Sequence, residues 1–380
     1  MKVAMVGLRG LDEGLGGVEK SVREISVRLA AAGVDVTCFC RPRFNQLTEF
    51  QGVKLVNTRT LYGKHLETAV YAAGSILKAT RGDFDVIHIH ALASSTLAWI
   101  PRWCSKKKVI VTIHGLDWQR AKWGFFARNM LRFSERCAVR YSHVTICVSQ
   151  SLQTYFQMRY LNHPFAYIPN GCDPVSPSAA ELPPPDGLKK KGYILFMGRL
   201  VPEKGVHRLI EAYRGLKTEQ PLIIAGPEMY AADYVRGLRA MAQGDARIRF
   251  IGTVAGELKE RLLSNAYVFV LPSEIEGLPV SVLEAASRGI CPVVSSIPTT
   301  IEVLGERGLA RGFTFDATSP TELRTALETC LDNPELVQTL GEQAREFAVA
   351  NYNWDAIAAE TKRVYERVTA EGVNGEGVKG

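Results

Sequence analysis

Residues Tyr267–Ser287 read Y-V-F-V-L-P-S-E-I-E-G-L-P-V-S-V-L-E-A-A-S. The run Tyr267–Leu271 is rich in aromatic and β-branched residues and predicts a short buried strand. A helix is expected to open near Pro279, because proline is tolerated in a first turn. Gly289 stands where such a helix would end. Glu276 then falls in the loop at the helix mouth and Glu284 two turns inside. On a helical wheel Glu284 lies about 40° from Val280, on the partly apolar side. A carboxylate there calls for a partner, because burying one unpaired is costly.

Two acids could mean glycoside hydrolysis, but the spacing is wrong. Eight residues at helical rise separate the positions by up to ~12 Å, whereas hydrolase carboxylates stand roughly 5–9.5 Å apart across one bond. A different division of labour fits better. The helix mouth takes an anion such as a phosphate. One carboxylate then accepts hydrogen bonds from a sugar and the other from a ribose.

The context E-G-L-P-x-S-x-L-E-A is more specific than the bare spacing. It resembles the E-x7-E motif of the retaining family 4 (group 1) glycosyltransferases of GT-B fold, with Glu276 and Glu284 as the two acids. The stretch G-R-L-V-P-E-K-G at Gly198–Gly205 is similar to the same family's G-R-L-x-x-E-K-G signature. The resemblance implies that Arg199 and Lys204 bind the donor diphosphate, Glu276 the sugar and Glu284 the ribose, with Gly277 and Leu278 lining the donor. Fixed cations would stabilise the charge that accumulates on a departing nucleoside diphosphate. No metal or other cofactor is expected in that scheme, because Arg, Lys and a helix N-terminus supply the positive charge.

The first half repeats the strand, turn and helix pattern. Lys2–Gly7 reads as a buried strand, Gly10–Gly17 as a glycine-rich turn, and a helix follows through Ala32. That order cradles phosphates, yet neither the G-x-G-x-x-G fingerprint nor a Walker lysine is met, which argues against a nicotinamide oxidoreductase. The turn resembles the family's G-G-x-E loop, with Gly16 and Gly17 facing the donor. Strands are expected at Val34–Cys40, Val53–Thr58, Asp85–His90, Lys108–His114, His143–Ser149 and Phe165–Pro169. Their alternation with helices implies a parallel sheet whose ligand edge lies beyond the carboxyl ends of its strands. His114 falls at that edge, where the family often has a histidine near the donor sugar, and it is read as a hydrogen-bonding, catalytic residue. His90, which shares a strand face with His88, reads as a satisfied core or sheet-end histidine.

The chain has 380 residues, enough for two domains, and a net charge of +7. Residues 1–175 carry 23 Lys+Arg against 12 Asp+Glu, a net of +11, and residues 176–380 carry 23 against 27, a net of −4. The basic half is expected to meet something anionic. Arg128, Arg132, Arg136 and Arg140 recur every four residues beside Trp118, Trp123, Phe125 and Phe126. That pairing suits an anionic membrane surface or lipid head group. The eight cysteines show no zinc or redox spacing and read as core thiols. No run reaches the ~20 apolar residues of a membrane span, and Met1–Gly7 lacks the apolar region of a signal peptide, so the expected place is the cytoplasm, at the inner face of the membrane.

The expected organisation is a GT-B fold, two Rossmann-like domains with parallel sheets facing across a cleft. Residues 1–172 form an acceptor-side domain, 173–191 a linker, and 192–350 the nucleotide-sugar donor domain. A helix at 351–370 crosses back to the first domain, and 371–380 is a tail. The implied reaction is retaining hexosyl transfer from a nucleotide sugar, UDP favoured with GDP and dTDP open, to a saccharide or lipid-linked acceptor, as in bacterial surface-polysaccharide assembly. Nucleic acid is not an expected partner. The alternatives are a nucleotide-sugar epimerase, which needs no acceptor, and an inactive glycosyltransferase-like scaffold.

Overall fold

The computed structural model describes residues 1–12, 16–60, 66–120, 123–174, 182–228, 231–305 and 311–373. Part of the expected glycine turn (13–15), Lys122, part of the expected linker (175–181) and the end of the expected tail (374–380) lie outside the described residues. The chain divides into two compact units, Met1–Asn170 joined by the stretch from Trp354 onward, and Gly171–Asn353.

In the first unit the strands are β1 (Lys2–Val6), β2 (Asp35–Cys40), β3 (Glu49–Phe50), β4 (Val53–Asn57), β5 (Val86–His90), β6 (Lys108–Ile113), β7 (Val144–Cys147) and β8 (Phe165–Tyr167). They form one sheet in the order β3-β4-β2-β1-β5-β6-β7-β8. Every pairing is parallel except β3 with β4. The expected strands are all present, shortened by one or two residues at their ends. The short antiparallel β3 has too few residues to leave a period-2 signal in the sequence.

In the second unit β9 (Ile194–Met197), β10 (Leu222–Ala225), β11 (Ile248–Gly252), β12 (Val268–Leu271), β13 (Cys291–Ser295) and β14 (Phe313–Phe315) form an all-parallel sheet. Its order is β11-β10-β9-β12-β13-β14. Both sheets are wound in two directions from their first strand. The order reverses between β1 and β5 in one unit and between β9 and β12 in the other. In open α/β sheets the crevice beyond the strands' carboxyl ends at such a reversal receives ligands.

The helix Trp354–Val373 packs on the helix Gly17–Ala31, and its apolar face enters the first core. Trp354, Ile357, Val364, Tyr365 and Val368 join Val3, Met5, Val22, Ile25 and Val36 in a single cluster. Cys38 and Cys40 point into the first unit's interior, and burial pushes the Cys38 thiol up to about 12. Among the described cysteines only Cys104 is exposed.

Trp354 is fully buried and its indole Nε1 makes no hydrogen bond. Replacing it tests how firmly the returning helix belongs to the first core. Trp354→Ala should cost about 3–5 kcal/mol in urea unfolding, the usual penalty for emptying a large aromatic site. Trp354→Phe should cost much less, because no hydrogen bond is lost. Equal losses in the two variants would contradict the packing account.

Candidate functional site

In the second unit the candidate residues come from the loops that follow β9 and β12, one on each side of the sheet reversal. The β9 loop runs through Arg199 to Lys204 and closes at Gly205, which has φ +66. A side chain on Gly205 would overlap the carbonyl oxygen of Pro272, the first residue after β12. Glycine therefore lets the two loops touch backbone to backbone. The contact is reinforced twice: Glu274 N–H donates to the Glu203 carbonyl at 2.9 Å, and Arg208 pairs with Glu274 at 2.5 Å. Held this way, Lys204 Nζ meets Glu276 Oε1 at 2.5 Å, with both side chains largely buried. Arg199 lies half-buried on the same β9 loop.

The helix after this loop spans Val280–Ala286, with Pro279 at its N-cap position. It opens at Val280, four residues before Glu284, so Glu284 sits about one turn inside rather than two. The chain leaves the helix through Gly289, φ +70, whose N–H donates to Ala286. Glu284 is buried, and the partner its burial demands is Lys259, at 2.5 Å from the helix Gly256–Asn265. Leu278 is buried beneath the loop and Gly277 is half-exposed. Sequence reasoning did not nominate Lys259, because no motif letter or spacing ties it to Glu284.

In the first unit Gly16 is the N-cap of the helix Gly17–Ala31. The first N–H groups of a helix have no partner within it. Glu19, the last letter of G-G-x-E, turns back to Arg9 on the β1 loop with bonds of 2.7 and 3.1 Å. Its place in the motif was the signal that could have marked it as structural support for the loop. Beside it, Gly7 has φ +97, and a Cβ there would overlap the carbonyl oxygen of His90. The ends of β1 and β5 are thus in backbone contact at the sheet reversal.

His114 follows β6, and its Nε2 lies 3.3 Å from His90 Nδ1. His90 Nε2 lies 3.3 Å from Met5 Sδ. His88 is buried between Tyr365 Oη and Thr112 Oγ1, each 2.6 Å away. Burial depresses all three histidines: His114 to about 4, with the Glu19 and Asp117 carboxylates opposing, His88 to about 3, and His90 well below its ordinary value. All three are neutral near pH 7.

The expected basic helix spans Phe125–Tyr141. Arg132, Arg136 and Arg140 are exposed, while Arg128 is half-buried. The same outward arc carries Phe125 and Phe126, 85% and 87% exposed, with Met130 and Phe133. The acid of this helix, Glu135, is turned inward, where it accepts from Trp118 Nε1 at 2.8 Å. Arg132 lies over the Trp118 ring. The outer face is therefore cationic and aromatic with no opposing carboxylate among its described residues.

Among the described residues no cluster of three His, Cys, Asp or Glu side chains is arranged to hold a metal ion. The D-x-D spacing Asp83-Phe84-Asp85 lies at the amino end of β5, the opposite end from His90, and Asp83 is occupied by Lys2 at 2.5 Å. Among those residues no helix is long and apolar enough to cross a membrane.

Residues 180–347 match the family profile described as glycosyl transferases group 1, and residues 15–176 match glycosyltransferase family 4. The chain is 28% identical over 304 residues to a phosphatidyl-myo-inositol mannosyltransferase of Mycolicibacterium smegmatis, covering 77% of this chain and 73% of that one. The fold is similar to sucrose-phosphate synthase from Thermosynechococcus elongatus, with a TM-score of 0.84, 22% identity, and coverage of 97% and 99%. It is also similar to Anabaena HepE in complex with UDP-glucose, with a TM-score of 0.79, 20% identity, and coverage of 97% and 100%. These likenesses make the fold GT-B.

The neutral histidines set an acid limit on stability. Above about pH 6.5 they are uncharged in both the folded and the unfolded chain, and their contribution is complete. As pH falls from 6.5 toward 4, the unfolded chain takes up protons that the folded one refuses. Stability should therefore drop by up to ~1.4 kcal/mol per pH unit for each of the three. Urea titrations at pH 7, 6 and 5 read this directly, and a flat midpoint would mean that the three rings are not held neutral.

Proposed function

The chain belongs to the family 4, group 1 glycosyltransferases, and from that premise we propose that it moves a hexosyl group from a nucleotide-sugar donor to an acceptor hydroxyl with retained anomeric configuration. The observation that carries this reading is the Lys204–Glu276 pair, held by the two loops at the sheet reversal. A cation and a carboxylate kept together in a largely buried place are costly to separate without replacement partners. A donor supplies both replacements. Its diphosphate takes Lys204 and Arg199, and its sugar hydroxyls take Glu276. Glu284, now held by Lys259, is read as the ribose acceptor.

In the reaction the acceptor oxygen bonds to the anomeric carbon as the bond from that carbon to the diphosphate breaks. Negative charge grows on the departing phosphate, where fixed cations are worth most. In the first unit the reading assigns Gly16 and Gly17 to donor binding and His114 to hydrogen bonding. We read the positive charge of Arg199 and Lys204 as sufficient without a metal or other cofactor. UDP is the favoured donor nucleotide, in keeping with the similar fold solved with UDP-glucose. A lipid-linked or polysaccharide acceptor is in keeping with the relative that acts on phosphatidyl-myo-inositol. It also agrees with the exposed Phe125, Phe126, Arg132, Arg136 and Arg140 face, which suits an anionic membrane at the cytoplasmic side.

Thermal shift against UDP, GDP, dTDP and their sugars, in chelator, tests the donor assignment. A ligand at 100 times its Kd stabilises by ~2.7 kcal/mol. UDP or a UDP-sugar should raise the melting temperature, and Lys204→Ala and Glu284→Ala should abolish the rise. Lys204→Ala should also lower kcat by roughly 10²–10³. A wild type unmoved by every nucleotide at millimolar concentration would favour a scaffold, and an epimer formed from donor alone would favour an epimerase.

Vesicle sedimentation tests the membrane face separately. Binding should require anionic lipid and weaken with salt. Replacing Arg132, Arg136 and Arg140 with Ser should weaken it roughly 100-fold, at ~1 kcal/mol per charge. Equal binding to neutral and anionic vesicles would remove the electrostatic argument.

A further inference from the structure

His90 is buried and bonds directly to the partly exposed His114. The two rings are joined by Nδ1 of His90 and Nε2 of His114 at 3.3 Å. Both are neutral near pH 7, so each carries one ring proton, and only one of the two facing nitrogens can donate. Chemistry on the far side of His90 decides which. Its Nε2 faces Met5 Sδ at 3.3 Å. A thioether sulfur has no proton to give and can only accept, weakly. If His90 kept its proton on Nδ1, a bare nitrogen lone pair would face a sulfur lone pair. With the proton on Nε2, that contact becomes a hydrogen bond to sulfur, and Nδ1 is left as an acceptor.

We propose that His90 is a positioning residue for His114: locked by Met5 as its Nε2–H form, it accepts the His114 Nε2–H and so keeps the His114 Nδ1 lone pair open to accept a hydrogen bond from a donor-sugar or acceptor hydroxyl. The proton order runs His114 Nε2–H to His90 Nδ1, then His90 Nε2–H to Met5 Sδ. Turning the His90 ring over would put carbon against both His114 and Met5 and lose both bonds. The ring is further confined by His88, whose centroid lies 3.9 Å away. His88 is itself held by Thr112 and by Tyr365 of the returning helix. Among the described residues the Nδ1 of His114 has no partner of its own.

The proton order does not depend on the proposed reaction; the positioning role rests on it. The test uses the full chain labelled with 15N-histidine at pH 7, read by two-bond proton–nitrogen correlation. The chain has seven histidines, and the signal lost in His114→Asn assigns His114. The expected spectrum shows both His90 and His114 protonated at Nε2. In His90→Phe the His114 signal should move to a mixture of tautomers. His90→Asn, which returns an acceptor oxygen near the place of Nδ1, should restore it. Met5→Leu keeps the volume but removes the acceptor from His90, and should disturb the His90 signal first. That variant, with the wild-type spectrum, decides the question if His90→Phe does not fold.

In transfer assays His90→Phe should lower kcat roughly tenfold or more, as misplacing a base's tautomer does elsewhere, with donor KM and nucleotide thermal shift unchanged. His90→Asn should recover part of the loss. A wild-type His114 protonated at Nδ1, or one unchanged in His90→Phe, overturns the proposal. An unchanged kcat in His90→Phe overturns the positioning role even with the expected spectrum. A wild type that shows the spectrum but transfers no sugar overturns the proposed function and leaves the proton order standing.

Discussion

In each unit one backbone contact at the sheet reversal holds the candidate residues in place. In the first unit the end of β1 meets the His90 carbonyl at Gly7, and in the second the β9 loop meets the Pro272 carbonyl at Gly205. Each requires a positive φ and the absence of a side chain. Neighbouring parallel strands diverge beyond their last ladder bond, and a loop with a Cβ at the touching point would have to stand off. The contacts bring loops separated by many residues into register, and everything placed on them inherits that register. Lys204 reaches Glu276 because Gly205 touches Pro272. The Arg9–Glu19 pair stands over the Gly16 turn because β1 ends where it does.

Both units bury charge in pairs, and the first buries neutral rings as well. The second buries charge in pairs, Lys204 with Glu276 and Lys259 with Glu284. Losing one member of such a pair is strongly destabilising, because it leaves the other charge buried and uncompensated. The first has the Arg9–Glu19 pair and beside it imidazole rings that desolvation keeps uncharged at ordinary pH. In the proposed reaction the two kinds of group have different uses. Paired charges can be handed to a charged diphosphate, while neutral imidazoles offer hydrogen bonds to sugar hydroxyls without competing for the anion.

The helix Trp354–Val373 belongs to this arrangement as well as to the core. Tyr365 places its hydroxyl on His88 at 2.6 Å, and the His88 ring lies tilted against His90 with centroids 3.9 Å apart. A segment more than 270 residues away in sequence thus supports the ring that contacts His114. Its apolar positions explain why it docks. Its one buried hydroxyl at this point explains how docking reaches the polar residues of the sheet edge.

The alternation of short buried strands with helices was enough, without coordinates, to specify two parallel sheets, since only crossover connections allow that order. The letters G-R-L-V-P-E-K-G and E-G-L-P-V-S-V-L-E-A marked Arg199, Lys204, Glu276 and Glu284, because a signature is local and survives as spacing along the chain. Burial of Glu284 was also legible, from helical period alone. Its partner was not: Lys259 lies on another helix, and no period connects them. His90 read as a satisfied core histidine, and it is buried and bonded, but the identity of its partners rests on register. β5 pairs with β6 so that His90 faces Thr112, which brings His114 within reach, and β5 pairs with β1 so that Met5 stands opposite His88. Such neighbours are set by how strands align across the sheet, a tertiary choice that leaves no mark in the order of residues along any one strand.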